Sequence, residues 1–283
     1  MLTGRFAPSP TGPLHMGSLI TAVASYLDIK SQGGRWYVRI DNLDPPREDP
    51  SATTAILAGL QAHGLQGDLP IDYQSDHSRR YEQALEQLAG HLFYCTCSRR
   101  TLAGLRIYPG TCRNSIKPIE DAAIRVRTST TSINYTDAML GEQQANLAED
   151  YGDFVVKRRD GLWAYNFATA IDDGHDCTHV VRGQDLLHVT PQQIYVMQML
   201  DLPVPAYMHI PLLCFKDGAK LSKQSHAPPL DNEMAGDNLR SALDFLGMHP
   251  PIADWSPAAW LNWALDRWPD HQLPPQLAPF VFN

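Results

Sequence analysis

The sequence of 283 residues has no long apolar run. None of its hydrophobic stretches approaches the roughly 20 residues that a bilayer-spanning helix needs. Its first residues lack the basic segment followed by an apolar stretch that is typical of a secretory signal. We therefore expect a cytoplasmic protein that makes no contact with a membrane.

An excess of positive charge is also lacking, because 31 acidic residues against 23 lysines and arginines give a formal net charge of −8. This excludes a uniformly basic surface for nucleic acid, since phosphate binding needs clustered cations. A local basic cluster nevertheless lies between residues 95 and 127, against only two acidic residues there. Its members are Arg99, Arg100, Arg106, Arg113, Lys117, Arg125 and Arg127. A solvated loop region and a phosphate-binding patch are both compatible with this composition.

The cysteine count of five is odd, which does not suit a disulfide framework. Three of the five are crowded into Cys95, Cys97 and Cys112, a spacing that favours a metal in a cytoplasmic chain. Cys177 and Cys214 stand alone in apolar surroundings, which predicts buried core thiols.

Strands and helices alternate along the first part of the chain. Apolar spacing predicts a helix through LITAVASYL that stops at Gly33, a strand over RWYVRI, and a helix capped by Asp49 with Pro50 at its first position. Short links between such elements are typical of a parallel α/β sheet.

The pattern becomes irregular between about residues 95 and 160, which predicts an insertion in the sheet domain. Alternation returns with a strand at HVVRG, a helix that opens at Thr190 and Pro191, and a strand over AYMHIPLLCF. Two short helices are predicted after Ser225.

The stretch RFAPSPTGPLHMGS separates the first strand from the first helix. A turn of this kind is where α/β folds bind phosphate, because free helix N–H groups and the positive end of the helix dipole point into it. Gly17 would let a nucleotide approach the backbone, and His15 could donate to phosphate oxygens. A second element, AKLSKQ, carries Lys220 and Lys223 on either side of a small hydroxyl residue.

Together, HMGS and KLSKQ resemble the two ATP motifs of class I aminoacyl-tRNA synthetases. The longer RFAPSPTGPLHMGS, with RIDNLDPPR, WAYNFATAIDD and HVVRGQDLL, resembles the glutamyl branch over most of residues 4 to 225, and in particular a short paralogue in that branch. The resemblance implies a Rossmann-type catalytic domain in two halves (1–92 and 161–230), with a zinc-bearing, acceptor-binding-like insertion at 93–160. It also implies a helical extension at 231–283 and no anticodon-binding domain.

The activity implied by this resemblance is ATP-dependent formation of glutamyl-adenylate, with Mg and without tRNA. The glutamate would then pass to queuosine in the anticodon loop of tRNA(Asp), with the basic insertion contacting the RNA and the protein acting as a monomer. Three alternatives stay open. They are a truncated glutamyl-tRNA synthetase that charges the tRNA 3′ end, a non-catalytic glutamate- or RNA-binding paralogue, and another nucleotidyltransferase.

The resemblance also implies roles for individual residues. His15 and Lys223 would stabilise the charge that grows on the phosphoryl oxygens. The residues implied to bind ATP are Gly17, Ser18, Lys220 and Lys223, and those implied to bind glutamate are Arg5, Ser9, Asp41, Tyr165 and Arg182. We favour Arg182 as the bidentate partner of the side-chain carboxylate. Asp41 departs from the glutamate that is usual in the family and reaches one methylene less far.

One structural zinc ion is expected at Cys95, Cys97 and Cys112, and a tetrahedral site needs a fourth ligand. Chemistry alone ranks His91 first, since phenolate is an unusual ligand. The family resemblance instead implies Tyr108.

Overall fold

The computed structural model describes residues 1–213 and 228–270. The strands in these ranges are β1 (Thr3–Phe6), β2 (Arg35–Ile40), β3 (Asp72–Tyr73), β4 (Leu92–Cys95), β5 (Ala123–Val126), β6 (Ser132–Asp137), β7 (Gly141–Asn146), β8 (Phe154–Lys157), β9 (His179–Gly183) and β10 (Ala206–Ile210). The helices are α1 (Met16–Ser31), α2 (Ala52–Ala62), α3 (Ser78–Gln87), α4 (Leu147–Asp150), α5 (Tyr165–Asp176), α6 (Thr190–Met199), α7 (Ala235–Phe245) and α8 (Pro257–Leu265).

A large sheet joins seven of these strands in the order β3-β2-β1-β9-β10-β6-β7. Neighbouring strands are parallel except in the β6–β7 hairpin. The chain proceeds from β1 toward β2 on one side and resumes at β9 on the other, so the strand order reverses beside β1. Ligands of α/β sheets bind at such a switch point, outside the carboxyl ends of the strands. The predicted parallel α/β fold is confirmed.

Successive strand residues point to opposite faces of the large sheet, and each face has its own core. Phe6, Val38 and Val181 pack into the core that contains α1, α7 and α8. Tyr37 and Val180 point the other way, toward residues of α4 and α6. Helices therefore cover both faces, which keeps polar side chains at the strand ends.

The predicted helices differ from the observed ones mainly at their first residues. The helix expected to begin at Pro50 begins at Ala52. The carboxylate of Asp49 accepts from the backbone N–H of Ser51 at 2.8 Å and from its hydroxyl at 2.7 Å. This Asx turn takes the place of a direct helix cap and delays the helix by two residues.

A separate antiparallel sheet has the order β4-β5-β8. The β6–β7 hairpin, which lies between β5 and β8 in sequence, leaves this sheet and pairs with β10 through Asp137 and Tyr207. The segment 93–160 thus supplies strands to both sheets. Its boundaries as a domain stay a prediction.

The helices α7 and α8 complete the core on the α1 side. Leu239, Leu243 and Trp260 are almost fully buried in the core that α1 lines. Within the described ranges, no helix has the length and apolar character required to cross a membrane.

Candidate functional site

The turn between β1 and α1 holds His15 in a fixed orientation at the N-cap of α1. The backbone N–H of Ser18 donates to Nδ1 of His15 at 3.3 Å, and the N–H of His15 donates to Oγ of Ser18 at 2.8 Å. Because Nδ1 accepts, the proton of the neutral ring lies on Nε2, which can donate to a ligand. The reciprocal cap therefore presents a donor at the end of the helix that attracts anions.

A cavity of about 320 Å³ opens at this turn and is lined by His15, Gly17, Ser18 and Ser9. Its other wall includes Gly183 and residues 211–213, which follow β9 and β10. The structure thus brings Gly17 and Ser18, two of the four predicted ATP residues, together with His15 at the switch point of the sheet. Ser9, predicted to bind glutamate, lines the same cavity. The predicted residues Lys220 and Lys223, and the predicted core thiol Cys214, lie outside the described residues.

Two arginines and two aspartates form a buried ionic layer at the carboxyl ends of β1 and β2. Arg5 donates to both carboxylate oxygens of Asp173 at 3.0 Å. Arg39 donates to Asp173 at 2.7 Å and to Asp41 at 2.7 Å. None of the four residues is more than 8% exposed. Pairing is necessary here, because an uncompensated charge in a protein interior is costly.

The two carboxylates of the buried ionic layer differ in how well they are compensated. Burial acts to raise the pKa of Asp173, but Arg5 and Arg39 together hold that pKa well below its usual range. Asp41 shares Arg39 with Asp173, and burial raises the pKa of Asp41 to about 6. Asp41 is therefore the anion that gains most from a further cation, such as a substrate ammonium.

Arg182 lies on β9 with its guanidinium held on three sides. Its Nε donates to Nε2 of His209 at 3.0 Å, its Nη2 donates to Oγ1 of Thr190 at 2.7 Å, and its Cζ lies 5.1 Å from the ring centre of Tyr207. Within residues 1–213 and 228–270, its buried Nη1 has no acceptor. A buried donor in this state is costly unless a ligand oxygen accepts from it.

Tyr165 begins α5 and is 39% exposed. The charges of Arg182, Asp41 and Arg5 all act on its phenol. Four of the five residues predicted to bind glutamate therefore surround one polar region, and Ser9 lies in the adjoining turn.

The three clustered cysteines meet Tyr108 beside β4. Oη of Tyr108 lies 3.4 Å from Sγ of Cys95 and 3.8 Å from Sγ of Cys97, and the sulfurs of Cys97 and Cys112 are 3.6 Å apart. Tetrahedral zinc with Zn–S bonds of about 2.3 Å separates two sulfur ligands by about 3.8 Å. The donor set therefore fits zinc. Among the described residues, His91 is exposed and does not belong to this group of cysteines.

A second group of possible metal ligands is Asp72, His77 and Asp176. Its members are already paired, since Nε2 of His77 lies 3.0 Å from Asp72 and Arg80 lies 2.6 Å from Asp176. The guanidinium of Arg80 supplies the positive charge that a metal would bring. We assign no metal to this group.

Sequence reasoning missed five residues of the site. Arg39 and Asp173 fall inside the quoted motifs RIDNLDPPR and WAYNFATAIDD, and a charged residue within an apolar strand or helix was a usable signal. The histidine of AYMHIPLLCF was a similar signal. Thr190 was noted only as the start of a helix, and Asp137 had no local signal. The complete set is Arg39, Asp137, Asp173, Thr190 and His209.

Residues 1–243 match the family described as "tRNA synthetases class I (E and Q), catalytic domain". The chain is 45% identical over 277 residues to the Glutamyl-Q tRNA(Asp) synthetase of Ectopseudomonas mendocina, which covers 96% of this chain and 94% of that protein. It is 46% identical over 289 residues to the protein of the same name from Neisseria meningitidis, which covers 97% of this chain and 98% of that one.

Among solved structures, a glutamate tRNA ligase from Elizabethkingia meningosepticum in complex with its amino acid is similar at a TM-score of 0.69. The two sequences are 28% identical, and the match covers 79% of this chain and 52% of that one. This chain thus spans about half the length of that ligase.

Proposed function

The chain belongs to the family of class I tRNA synthetases (E and Q), and we propose that it is a ligase that activates glutamate with ATP and acts on tRNA(Asp). The glutamyl group would pass from the adenylate to queuosine in the anticodon loop, and activation would not require tRNA. The observation that carries the proposal is the 45% identity to a Glutamyl-Q tRNA(Asp) synthetase over 94% of that protein's length. Its site of action would be the cytoplasm, with the protein as a monomer.

In the first step, the α-carboxylate of glutamate attacks the α-phosphorus of ATP. A bond forms between a carboxylate oxygen and phosphorus, and the bond to pyrophosphate breaks. Nε2–H of His15 and the backbone of Gly17 are the proposed donors to the phosphoryl oxygens, and Lys220 and Lys223 are assigned by their motif alone. Because negative charge grows on those oxygens, fixed donors lower the barrier without a protein nucleophile. Bound Mg would supply further charge neutralisation.

We assign glutamate recognition to both positively and negatively charged side chains. Among the described residues, Nη1 of Arg182 is a buried donor without an acceptor, which supports its role toward the side-chain carboxylate. Asp41 is the undercompensated anion and is assigned to the ammonium. Arg5 is held by Asp173 and by the carbonyl of Val181, so its contribution is a fixed positive charge.

A zinc ion is proposed at Cys95, Cys97, Cys112 and Tyr108. When bound, it would supply a structural cross-link and no reaction chemistry. Its ligands come from β4 and from the segment between β4 and β5, so the cross-link would hold that segment against the small sheet. Tyr108 also stacks on Phe93 with ring centres 5.9 Å apart, which fixes the phenol.

The RNA is proposed to contact the basic cluster of residues 95–127 and the cavity beside it. This cavity has a volume of about 800 Å³ and runs from Cys97 and Arg99 to Arg159 and Tyr165. Tyr165 also belongs to the proposed glutamate region, so the cavity connects the zinc-binding segment with the activated amino acid. Arg99 and Arg159 are exposed and suit backbone phosphates rather than base edges.

The test is ATP–pyrophosphate exchange with glutamate, aspartate or glutamine in the absence of tRNA. We expect exchange with glutamate alone. Radioactive glutamate is then transferred to tRNA(Asp) with and without queuosine, and nuclease fragments locate the label. Label in the anticodon-loop fragment supports the proposal, whereas label on the 3′-terminal fragment identifies a charging enzyme. No exchange with or without tRNA would identify a non-catalytic paralogue.

A further inference from the structure

Asp137 and His209 form a buried pair next to Arg182. Oδ2 of Asp137 lies 2.6 Å from Nδ1 of His209, and both side chains are fully buried. Nε2 of the same ring lies 3.0 Å from Nε of Arg182. The three side chains therefore form a continuous chain of hydrogen bonds that ends at the guanidinium.

The chemistry of arginine fixes the direction of these hydrogen bonds. A guanidinium only donates, so Nε2 of His209 must accept and carries no proton. The ring is then neutral with its proton on Nδ1, and Nδ1–H donates to Asp137. Burial lowers the pKa of His209, and Arg182 lowers it further against the opposing effect of Asp137. The neutral state follows from the geometry and agrees with the charges around the ring.

Asp137 is itself held rigidly. Its Oδ1 accepts from the backbone N–H groups of Met139 and Leu140, each at 3.0 Å, and its Oδ2 accepts from the backbone N–H of His209 at 3.1 Å. The hairpin of β6 and β7 brings it there, because Asp137 pairs in parallel register with Tyr207 on β10. A segment from the region of the predicted insertion thus forms one edge of the large sheet and contacts β10.

We propose that Asp137 and His209 are positioning residues for the side-chain carboxylate of the amino-acid substrate. Asp137 fixes the Nδ1–H tautomer of His209, and Nε2 of His209 then orients Arg182 so that Nη1 faces the substrate. The opposite tautomer would place two N–H donors against each other and displace the guanidinium. This inference rests on the proposed function, in which Arg182 binds that carboxylate.

The first test replaces the carboxylate by an amide that can stabilise the wrong tautomer. In Asp137→Asn we expect the KM for glutamate in ATP–pyrophosphate exchange to rise about tenfold or more, because the loss of one hydrogen bond to a charged group has an effect of this size. The KM for ATP should stay unchanged. Asp150→Asn is the matched control, because Asp150 also accepts from a backbone N–H, at 2.8 Å, but lies at the end of α4, which follows the hairpin. An unchanged KM for glutamate, or equal changes in both KM values, overturns the proposal.

The second test separates the two hydrogen bonds of His209. A glutamine at this position can still accept from Arg182, whereas an asparagine reaches only toward Asp137. We therefore expect His209→Gln to retain a KM for glutamate several-fold closer to that of the wild type than His209→Asn. Equal effects of the two substitutions contradict the relay.

The third test needs no variant for its main result. Nitrogen-15 NMR of the histidine rings in the wild-type protein, with His209→Gln to assign the signal, should show His209 protonated on Nδ1 alone near neutral pH. Protonation on Nε2 overturns the relay even if glutamate-dependent exchange is present. Absence of exchange in the wild type refutes the proposed function instead, and the tautomer then still decides the hydrogen-bond direction.

Discussion

The buried ionic layer and the cysteine cluster are built in opposite ways. The layer joins Arg5, Arg39 and Asp173, residues separated by up to 168 positions, and the large sheet must form before they meet. The cluster joins Cys95, Tyr108 and Cys112 within 18 consecutive residues. One site depends on the global fold, and the other consists of neighbouring residues that the proposed zinc ion would join across a short loop. Disrupting the ionic layer should therefore destabilise the whole chain, whereas disrupting the cysteine cluster should affect only the segment around it.

The largest effect is expected from Asp173→Asn. Removing this carboxylate leaves Arg5 and Arg39 buried with only Asp41 to compensate them, and breaking a buried ion pair in this way costs about 3–5 kcal/mol. Urea denaturation should show that loss for the whole chain. Asp176→Asn is the control on the same helix, since the side chain of Asp176 is 34% exposed and pairs with Arg80, whose side chain is 30% exposed. Its loss should stay below about 1 kcal/mol. Equal losses of stability in the two variants would show that breaking the buried ionic layer costs no more than breaking the Asp176–Arg80 ion pair.

Removal of the metal should act locally. We expect the purified protein to contain about one zinc ion per chain, and Cys112→Ser to contain almost none. Limited proteolysis should then cut between residues 97 and 122 first, while glutamate-dependent exchange continues. Tyr108→Phe should weaken zinc retention against a chelator, and His91→Ala should leave it unchanged. Loss of zinc in His91→Ala but not in Tyr108→Phe would reverse the ligand assignment.

A third effect concerns ligand binding rather than folding. Arg182→Lys keeps one positive charge but removes the planar fork that His209 and Thr190 hold. We expect the KM for glutamate to rise roughly tenfold to a hundredfold, as for a lost charged hydrogen bond, while the KM for ATP stays within a factor of about two. Parallel changes in both KM values would remove Arg182 from glutamate recognition.

The same contrast explains what could be predicted from the sequence. The cysteine cluster was visible because its members are neighbours in sequence, and the parallel sheet was visible because helix and strand periods alternate. Arg5, Asp41 and Arg182 were predicted as site residues only through family motifs. Asp137 was missed because its partner, His209, lies 72 positions away on a strand whose pairing with β6 had no local signal. Ion pairs that form only when the strands of the sheet come together have no characteristic spacing in the sequence, so sequence patterns cannot predict them.

The smallest expected effect is a dependence on pH that sets Asp41 apart from Asp173. Burial raises the pKa of Asp41 to about 6, so acid neutralises it well before it neutralises Asp173. An ammonium needs the ionised form, and the affinity for glutamate should therefore fall about tenfold between about pH 7 and about pH 5. The effect on folding has the opposite sign. A raised pKa means that the folded state holds this proton more tightly than the unfolded state, so the contribution of Asp41 to stability decreases as the pH rises from about 4 to about 6.

Asp41→Asn provides the control for this last prediction. In the variant the carboxyl groups of the substrate still titrate, whereas residue 41 no longer does. Its affinity for glutamate should be lower at neutral pH and almost independent of pH between about 5 and 7, as a binding titration would show. If the wild type and the variant had the same slope, the ammonium would be bound elsewhere. Asp41 would then serve only to neutralise Arg39, and both aspartates of the layer would have one purpose, which is to keep the arginines buried.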